Sequence, residues 1–311
     1  MNQQNEVRQE PGRKHPKVSV VIPTHNRAKE LPRSIRSVLA QTFTDFELII
    51  VDDASTDDTE EVVSSFCDDR LCYKKLEVNV GGAEARNIGV GLAKGDIVAF
   101  QDSDDEWTCS KLEVSVSKLE QSNRIGALFS QFIQVSPESC RLMPTGVYSF
   151  DSSDVYKSLL WQNHVGTPTL VVKKSYLELV GGFTPEMPRY QDWDLALKLA
   201  SVTKIEYLKE PMLLSYVTEG SITQNKVAHG EALEILYKKH MIAISSDRRL
   251  KAAWLHRLGD ARISAEDKSG RWLLFEALKL EPYSLRYGVK FVFSLFGSST
   301  VYIALTGLFR R

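Results

Sequence analysis

The stretch VAFQDSDDEWT (98–108) runs an apolar segment into Asp102, Asp104, Asp105 and Glu106, interrupted only by Ser103. Carboxylates this close repel one another, and a desolvated carboxylate either shifts its pKa or takes a cation. The cluster therefore points either to a divalent metal site or to a solvated acidic loop. Two other apolar runs end in polar clusters in the same way: VSVVIP (18–23) leads into Thr24-His25-Asn26-Arg27, and FELIIVDD (46–53) closes on Asp52-Asp53.

The elements that must position these groups are legible as an alternation of short β-rich runs and helical patterns, which predicts α/β architecture with a parallel sheet of βαβ units. Strands are expected at 18–23, 46–53, 71–78 and 96–100, with helices at 31–41, 57–66 and 81–95, the last opened and closed by glycines. In open α/β sheets, ligands bind beyond the carboxyl ends of the strands. Three strand ends carrying polar clusters therefore imply one shared site. Further on, a helix is expected at 110–122, strands at 125–135 and 168–174, and a helix at 191–200 with acids in its first turn, where the dipole favours them. After Gly220 only helices are expected. Residues 259–284 have the small and apolar positions of one tetratricopeptide-like pair, and a single such pair reads as an appendage because it cannot bury its own face. The expected divisions are a polar tail over 1–16, an α/β domain over 17–220 and a helical region over 221–311.

Composition narrows the classes. The chain has 39 Lys and Arg against 40 Asp and Glu, so no strong global field draws it to nucleic acid, and no nucleic-acid partner is expected. The four cysteines show no CxxC spacing and read as reduced thiols of a cytoplasmic protein. No His or Cys cluster suggests zinc. The polar start has no apolar h-region. From Phe291 to Phe309 the chain is uncharged, near the length of a bilayer span, but Gly297-Ser298-Ser299-Thr300 reads as a turn. Two short amphipathic helices are expected there, packed on the protein or lying on the inner face of the cell membrane through residues 285–311, with a single bilayer span as the alternative.

Taken together, IPTHNR, VDDASTDDT, NVGGAEARNIGVGLAKGDIVAFQDSDDEW and GGF…QDWDLALKLA resemble glycosyltransferase family 2 in order and spacing over about residues 17–200. This resemblance implies a GT-A fold, with a mixed, mostly parallel sheet flanked by helices, and an inverting enzyme of cell-surface or lipid-linked glycan synthesis. It implies that Pro23 and Thr24 lie against the base of a nucleotide-sugar donor, a UDP-sugar being favoured, and that Asp53 accepts from the uracil N–H. It places Arg86 on the diphosphate, where a forked guanidinium suits two oxygens. Asp102-Ser103-Asp104 becomes the DxD motif, with Asp104 the direct ligand of Mg²⁺ or Mn²⁺ and Asp102 the ribose or outer metal partner.

The same resemblance places the base at Asp192, with Asp194 as runner-up. Gln191 departs from the Glu usual in the family, which should leave Asp192 less raised in pKa. Asp105 and Glu106 are assigned mainly to capping the next helix, with Asp105 facing the acceptor as the alternative, and Asp52 or Ser55 to capping the helix at 57 or forming the turn ahead of it. Trp193 reads as core, and His25 and His164 carry no assigned role. The acceptor implied is a hydroxyl of a glycan or lipid-linked saccharide. Two rivals remain. A sugar-phosphate nucleotidyltransferase would need a glycine-rich first loop where PTHNR stands, and a non-catalytic nucleotide-sugar-binding scaffold would have little use for both Asp104 and Asp192.

Overall fold

A computed structural model describes residues 15–144, 153–217, 225–296 and 302. Its first half is built from β1 (Val18–Thr24), β2 (Phe46–Asp52), β3 (Leu71–Lys75) and β4 (Ile97–Phe100), all parallel, with helices α1 (Leu31–Leu39), α2 (Thr59–Ser64) and α3 (Gly82–Leu92) as crossovers. β1 and β4 are buried along their whole length, which is why they read as unbroken apolar runs rather than alternating ones. α3 lies hard against the sheet: a Cβ on Gly89 would sit 2.3 Å from Val21 Cγ1, so only glycine allows this approach.

The remaining strands are β5 (Glu106–Trp107), β6 (Ile125–Ser136), β7 (Ser139–Met143), β8 (Val171–Lys173) and β9 (Lys204–Tyr216). Across the sheet the order is β3-β2-β1-β4-β8-β6-β9-β5, with β7 paired to β6. β8 runs antiparallel to both β4 and β6, while β9 returns parallel to β6, so the sheet is mixed but mostly parallel, as expected. Between the strands lie α4 (Lys111–Glu120), α5 (Val155–Trp161), α6 (Lys174–Val180) and α7 (Gln191–Ala200). The expected strand at 168–174 is in part a short 3₁₀ turn at Thr167–Thr169, forced by Pro168, and only Val171–Lys173 pair.

The expected capping by Asp105 and Glu106 is not found. Glu106 lies in β5, paired with Leu214 of β9, and α4 starts after Ser110. Nor does Asp52 or Ser55 cap α2, which starts after Asp58. The other alternative, turn formation, holds: Asp52 accepts from Ser55 N at 2.8 Å and from the Tyr73 hydroxyl, closing the turn after β2.

Helices α8 (Lys226–Lys239), α9 (Met241–Ser245), α10 (Arg248–Ser264), α11 (Gly270–Leu280) and α12 (Leu285–Phe296) pack on one another and, through α8 and α10, on α5 and α7. The expected pair at 259–284 corresponds to the end of α10 and α11. They meet at two glycines so closely that a Cβ on Gly270 would lie 2.5 Å from the Gly259 carbonyl. The helices share the main apolar core: Trp254 of α10 stacks on Trp193 of α7 at 5.4 Å and donates from Nε1 to the Leu160 carbonyl at 2.8 Å. Of the two helices expected near the chain end, α12 covers the first. The expected turn at 297–300 and the segment beyond it lie outside the described residues, except Tyr302, which is buried against Ile263 and Leu274. Among the described residues no helix is long and apolar enough to cross a membrane.

Candidate active site

The carboxyl ends of β1, β2 and β4 open into a cleft of about 650 Å³ that reaches across to the start of α7. Pro23, Thr24, Asp53, Arg86, Asp102, Ser103, Asp104 and Asp192 all line it, although they come from five separate stretches of chain. A cleft of this size suits a ligand as large as a sugar nucleotide.

Asp53 is nearly buried. Its Oδ1 accepts from Val80 N at 2.7 Å and its Oδ2 from Gly81 N at 2.8 Å. These bonds hold the entry to α3, where Gly81 takes a left-handed φ of 84°. A carboxylate has about four acceptor sites, so Asp53 keeps capacity for a ligand donor. Thr24 Oγ1 is buried in the same wall with no hydrogen-bond partner among the described residues.

Arg86 crosses the cleft floor. Its Nη2 donates to Asp102 Oδ1 at 2.6 Å, and Nη1 donates to the Gly82 carbonyl at 3.2 Å and to Gln191 Oε1 at 3.4 Å. Its Nε–H is buried and has no acceptor among the described residues. An unmatched buried donor on a cation is what an anionic ligand would satisfy. Asp104 lies beside Arg27, with Oδ2 at 4.0 Å from Nη2, and its carbonyl accepts from Arg33. The Asp102 carbonyl accepts from Ser34 Oγ at 2.9 Å, so α1 fixes the acidic loop by its backbone and leaves the carboxylates to the cleft.

Asp105 also lines the cleft, but it is buried and accepts from Tyr216 N at 3.1 Å. Burial, followed by the nearby Asp102 and Asp104 charges, raises its pKa well above the ordinary carboxylate range. It ties the end of β9 to the acidic loop, and Glu106 adds to this by accepting from the Tyr216 hydroxyl at 2.9 Å.

Asp192 opens α7. Its Oδ1 accepts from Trp193 N at 2.7 Å and from Asn163 Nδ2 at 3.4 Å, and burial pushes its pKa up to about 6 despite these bonds and the Arg86 charge. Gln191 does not spare Asp192 this rise, because desolvation and not a neighbouring acid is the main cause. Asp194, the runner-up base, does not line the cleft. It is fully buried and held by Lys239 Nζ at 2.7 Å and Thr184 Oγ1 at 2.6 Å, and although burial alone would raise its pKa, these bonds bring it below the ordinary value. Trp193 is core, as read. His25 lines the cleft with Nδ1 2.7 Å from the Asp53 carbonyl oxygen, whereas His164 is buried away from it.

The sequence reading missed Asn163 as a donor to Asp192, and, in the cleft, the wall formed by Thr167, Pro168 and Thr169 and the β9 residues Leu213, Ser215 and Tyr216. Trp107 Nε1 donates to the Pro168 carbonyl at 3.2 Å, and Lys111 Nζ to that of Thr169 at 3.3 Å. Burial takes the Lys111 pKa down to about 7.

No group of three or more His, Cys, Asp or Glu side chains suited to a metal occurs among the described residues. Asp102 and Asp104 nonetheless both face the cleft, and a hard cation of the Mg²⁺ type ordinarily takes one or two carboxylates and completes its shell with phosphate oxygens and water. The donor set fits a metal that binds together with a diphosphate.

Residues 19–170 match the family model described as Glycosyl transferase family 2. Among curated proteins, the Escherichia coli UDP-Glc:alpha-D-GlcNAc-diphosphoundecaprenol beta-1,3-glucosyltransferase WfgD is 29% identical over 211 residues, which cover 67% of this chain and 80% of the relative. Among solved structures, S. aureus TarS 1–349 in complex with UDP-GlcNAc superposes with a TM-score of 0.62 at 20% identity, covering 94% of this chain and 92% of that one. The mannosyltransferase PcManGT of Pyrobaculum calidifontis, in complex with GDP-Man and Mn²⁺, gives a TM-score of 0.59 at 19% identity, covering 96% and 89%. Both structures share the fold.

Proposed function

Because this chain is a family 2 glycosyltransferase with a GT-A fold, we propose that it transfers a sugar with inversion from a nucleotide-diphosphate donor, a UDP-sugar, to a hydroxyl of a lipid-linked saccharide. The observation that carries this is the Asp192 carboxylate, buried enough to hold a pKa of about 6, in one cleft with Arg86, Asp102 and Asp104. The names of the E. coli relative and of TarS support the lipid-linked acceptor and the UDP donor, and GDP-Man on PcManGT is the alternative donor.

In the reaction the acceptor oxygen attacks the anomeric carbon as Asp192 takes the hydroxyl proton, and the bond from that carbon to the β-phosphate oxygen breaks. Arg86 holds the diphosphate through the donors that now face Asp102 and Gln191, together with its unmatched Nε–H. Pro23, Thr24 and Asp53 hold the base and ribose end, and Ser103 and Asp102 face the ribose. Asp104, with Asp102 behind it, would hold Mg²⁺ or Mn²⁺, which when bound neutralises charge growing on the departing diphosphate. Nucleotide release from UDP-glucose, UDP-N-acetylglucosamine and GDP-mannose, with and without Mn²⁺, tests the donor. Metal-dependent turnover of a UDP-sugar is expected, and turnover of GDP-mannose alone would contradict the donor class.

The base must be ionised to act, so kcat should fall tenfold per pH unit below about 6 and level off above it. The acid limb of a pH–rate profile checks this, and a limb centred near the ordinary aspartate value of about 4 would mean that a different group titrates.

A lipid-linked acceptor requires the protein to reach a bilayer, and α11 and α12 offer a face for it. Trp272 is 63% exposed and Leu285 79%, with Phe275 and Leu295 also open to solvent. The rings of Trp272 and Phe275 lie 6.0 Å apart, and those of Phe275 and Phe291 5.5 Å, so the face is continuous across both helices. From Arg248 to the chain end there are 12 Arg and Lys against 5 Asp and Glu, in a chain whose net charge is only −1. Aromatic groups within a basic region suit the interface of an anionic bilayer, where each cation near the surface contributes about 1 kcal/mol. Full-length protein should therefore sediment with phosphatidylglycerol-containing vesicles and not with phosphatidylcholine alone, and W272A/F275A should weaken this by roughly tenfold. Equal binding to both vesicle types would contradict the electrostatic part of this reading.

A further inference from the structure

The first turn of α7 is built in a way that its own sequence does not account for. Tyr190, which precedes it, has φ 62° and ψ 33°, the left-handed conformation that a bulky aromatic residue seldom adopts. Its hydroxyl shares a hydrogen bond of 2.8 Å with His229 Nδ1 on α8, and its ring meets Trp193 edge-on at 5.5 Å. Its carbonyl accepts the first helical bond of α7, from Asp194 N at 3.0 Å. The backbone of Tyr190 therefore sets where Asp192, two residues on, directs its carboxylate.

The neighbouring residues are anchored to the same C-terminal helices. Trp193 stacks on Trp254 of α10, and Asp194 is held by Lys239 of α8. Asn163, the side-chain donor to Asp192, follows α5, whose last carbonyls at Leu160 and Trp161 accept from Trp254 and Arg257 of α10. Both sides of the hydrogen-bond frame around Asp192 are thus fastened to α8 and α10.

We propose that His229 is a positioning residue: through Tyr190 it holds the left-handed entry to α7 and so aims Asp192 at the acceptor. The proposal rests on Asp192 being the base. It gives the C-terminal helices a part in the chemistry beyond enlarging the core. Misplacing a reacting group by about 1 Å can cost on the order of 10²-fold in rate, and losing one anchor of several should cost less.

The test uses the full-length chain with whichever of UDP-glucose, UDP-N-acetylglucosamine or GDP-mannose it turns over, comparing H229A, Y190F, the double variant and D192N. His229→Ala and Tyr190→Phe should each lower kcat by about tenfold with donor KM unchanged, and the double should be no worse than either single, because both remove the same bond. Tyr190→Phe removes one oxygen atom and keeps the ring, so it decides the matter even if His229→Ala fails to fold. Wild-type kcat in Tyr190→Phe, or a loss carried by KM, overturns the positioning role while D192N remains inactive. A fully active D192N instead overturns the assignment of the base, whatever the other variants do.

Discussion

Asp192→Asn is expected to lower kcat by about 10²- to 10⁴-fold, the usual worth of a positioned general base, with little change in donor KM. The proposed donor contacts are Thr24, Asp53 and Arg86, which this substitution leaves unchanged, and the amide keeps the size and the hydrogen-bonding capacity of the carboxylate towards Trp193 N. Only proton acceptance is lost. The variant should also fold at least as well as the parent. Burial raises the Asp192 pKa to about 6, above the value of about 3.9 in an unfolded chain, so the folded state favours the protonated form. The ionised group therefore costs stability once the pH is above about 6, and the cost vanishes below about 4. At pH 8 the variant should melt at the same or a higher temperature, and at pH 4 the two should coincide. A lower melting temperature at pH 8 would indicate that the carboxylate is chiefly a structural anchor.

Asp104→Asn should have the second largest effect, a fall of about 10²- to 10³-fold in metal-stimulated turnover, the scale at which removing one stabilising group from a developing oxyanion is felt. Three acids of the DSDD cluster line the cleft; Asp102 is paired with Arg86 at 2.6 Å and Asp105 is buried and accepts from Tyr216 N, and Asp104, 4.0 Å from Arg27, is the carboxylate assigned to the cation. Calorimetric titration of UDP into the protein with and without Mn²⁺ gives a readout that does not depend on turnover. In the parent, Mn²⁺ should tighten UDP binding by tenfold or more, and in the variant it should not. Metal-enhanced UDP binding that survives Asp104→Asn would remove Asp104 from the metal site.

The parts of the fold legible in the sequence are those whose burial is two-sided. β1, β2 and β4 are continuous apolar runs because helices cover both faces of the sheet, and the glycines around α3 mark its ends. β5 and β7 could not be seen, since Glu106–Trp107 pair with Leu213 and Leu214 more than a hundred residues away and β7 is a half-exposed hairpin arm. In the acidic cluster the capping expected of Asp105 and Glu106 is not what the structure shows. Asp105 and Glu106 stand where helix caps are common, yet they fasten Tyr216 of β9, a partner that no local rule can supply. The turn at Thr167–Thr169 enters the cleft for a similar reason, being joined to β8, which pairs with β4 and β6, and Asn163 reaches Asp192 from the loop after α5. Asp194 shows the limit of spacing arguments. It lies two residues from Asp192, but α7 turns it about 200° away to Lys239. The sense of Tyr190 was likewise hidden, because its unusual backbone has meaning only beside His229.

The central claim is a single displacement in which Asp192 deprotonates the acceptor on the face opposite the departing diphosphate. The configuration of the new glycosidic bond tests it most directly. With an α-linked donor such as UDP-glucose and a lipid-linked saccharide as acceptor, the anomeric proton coupling of the product should report a β linkage. An α linkage would mean retention, which one in-line attack cannot give, and would contradict the mechanism assigned to this cleft.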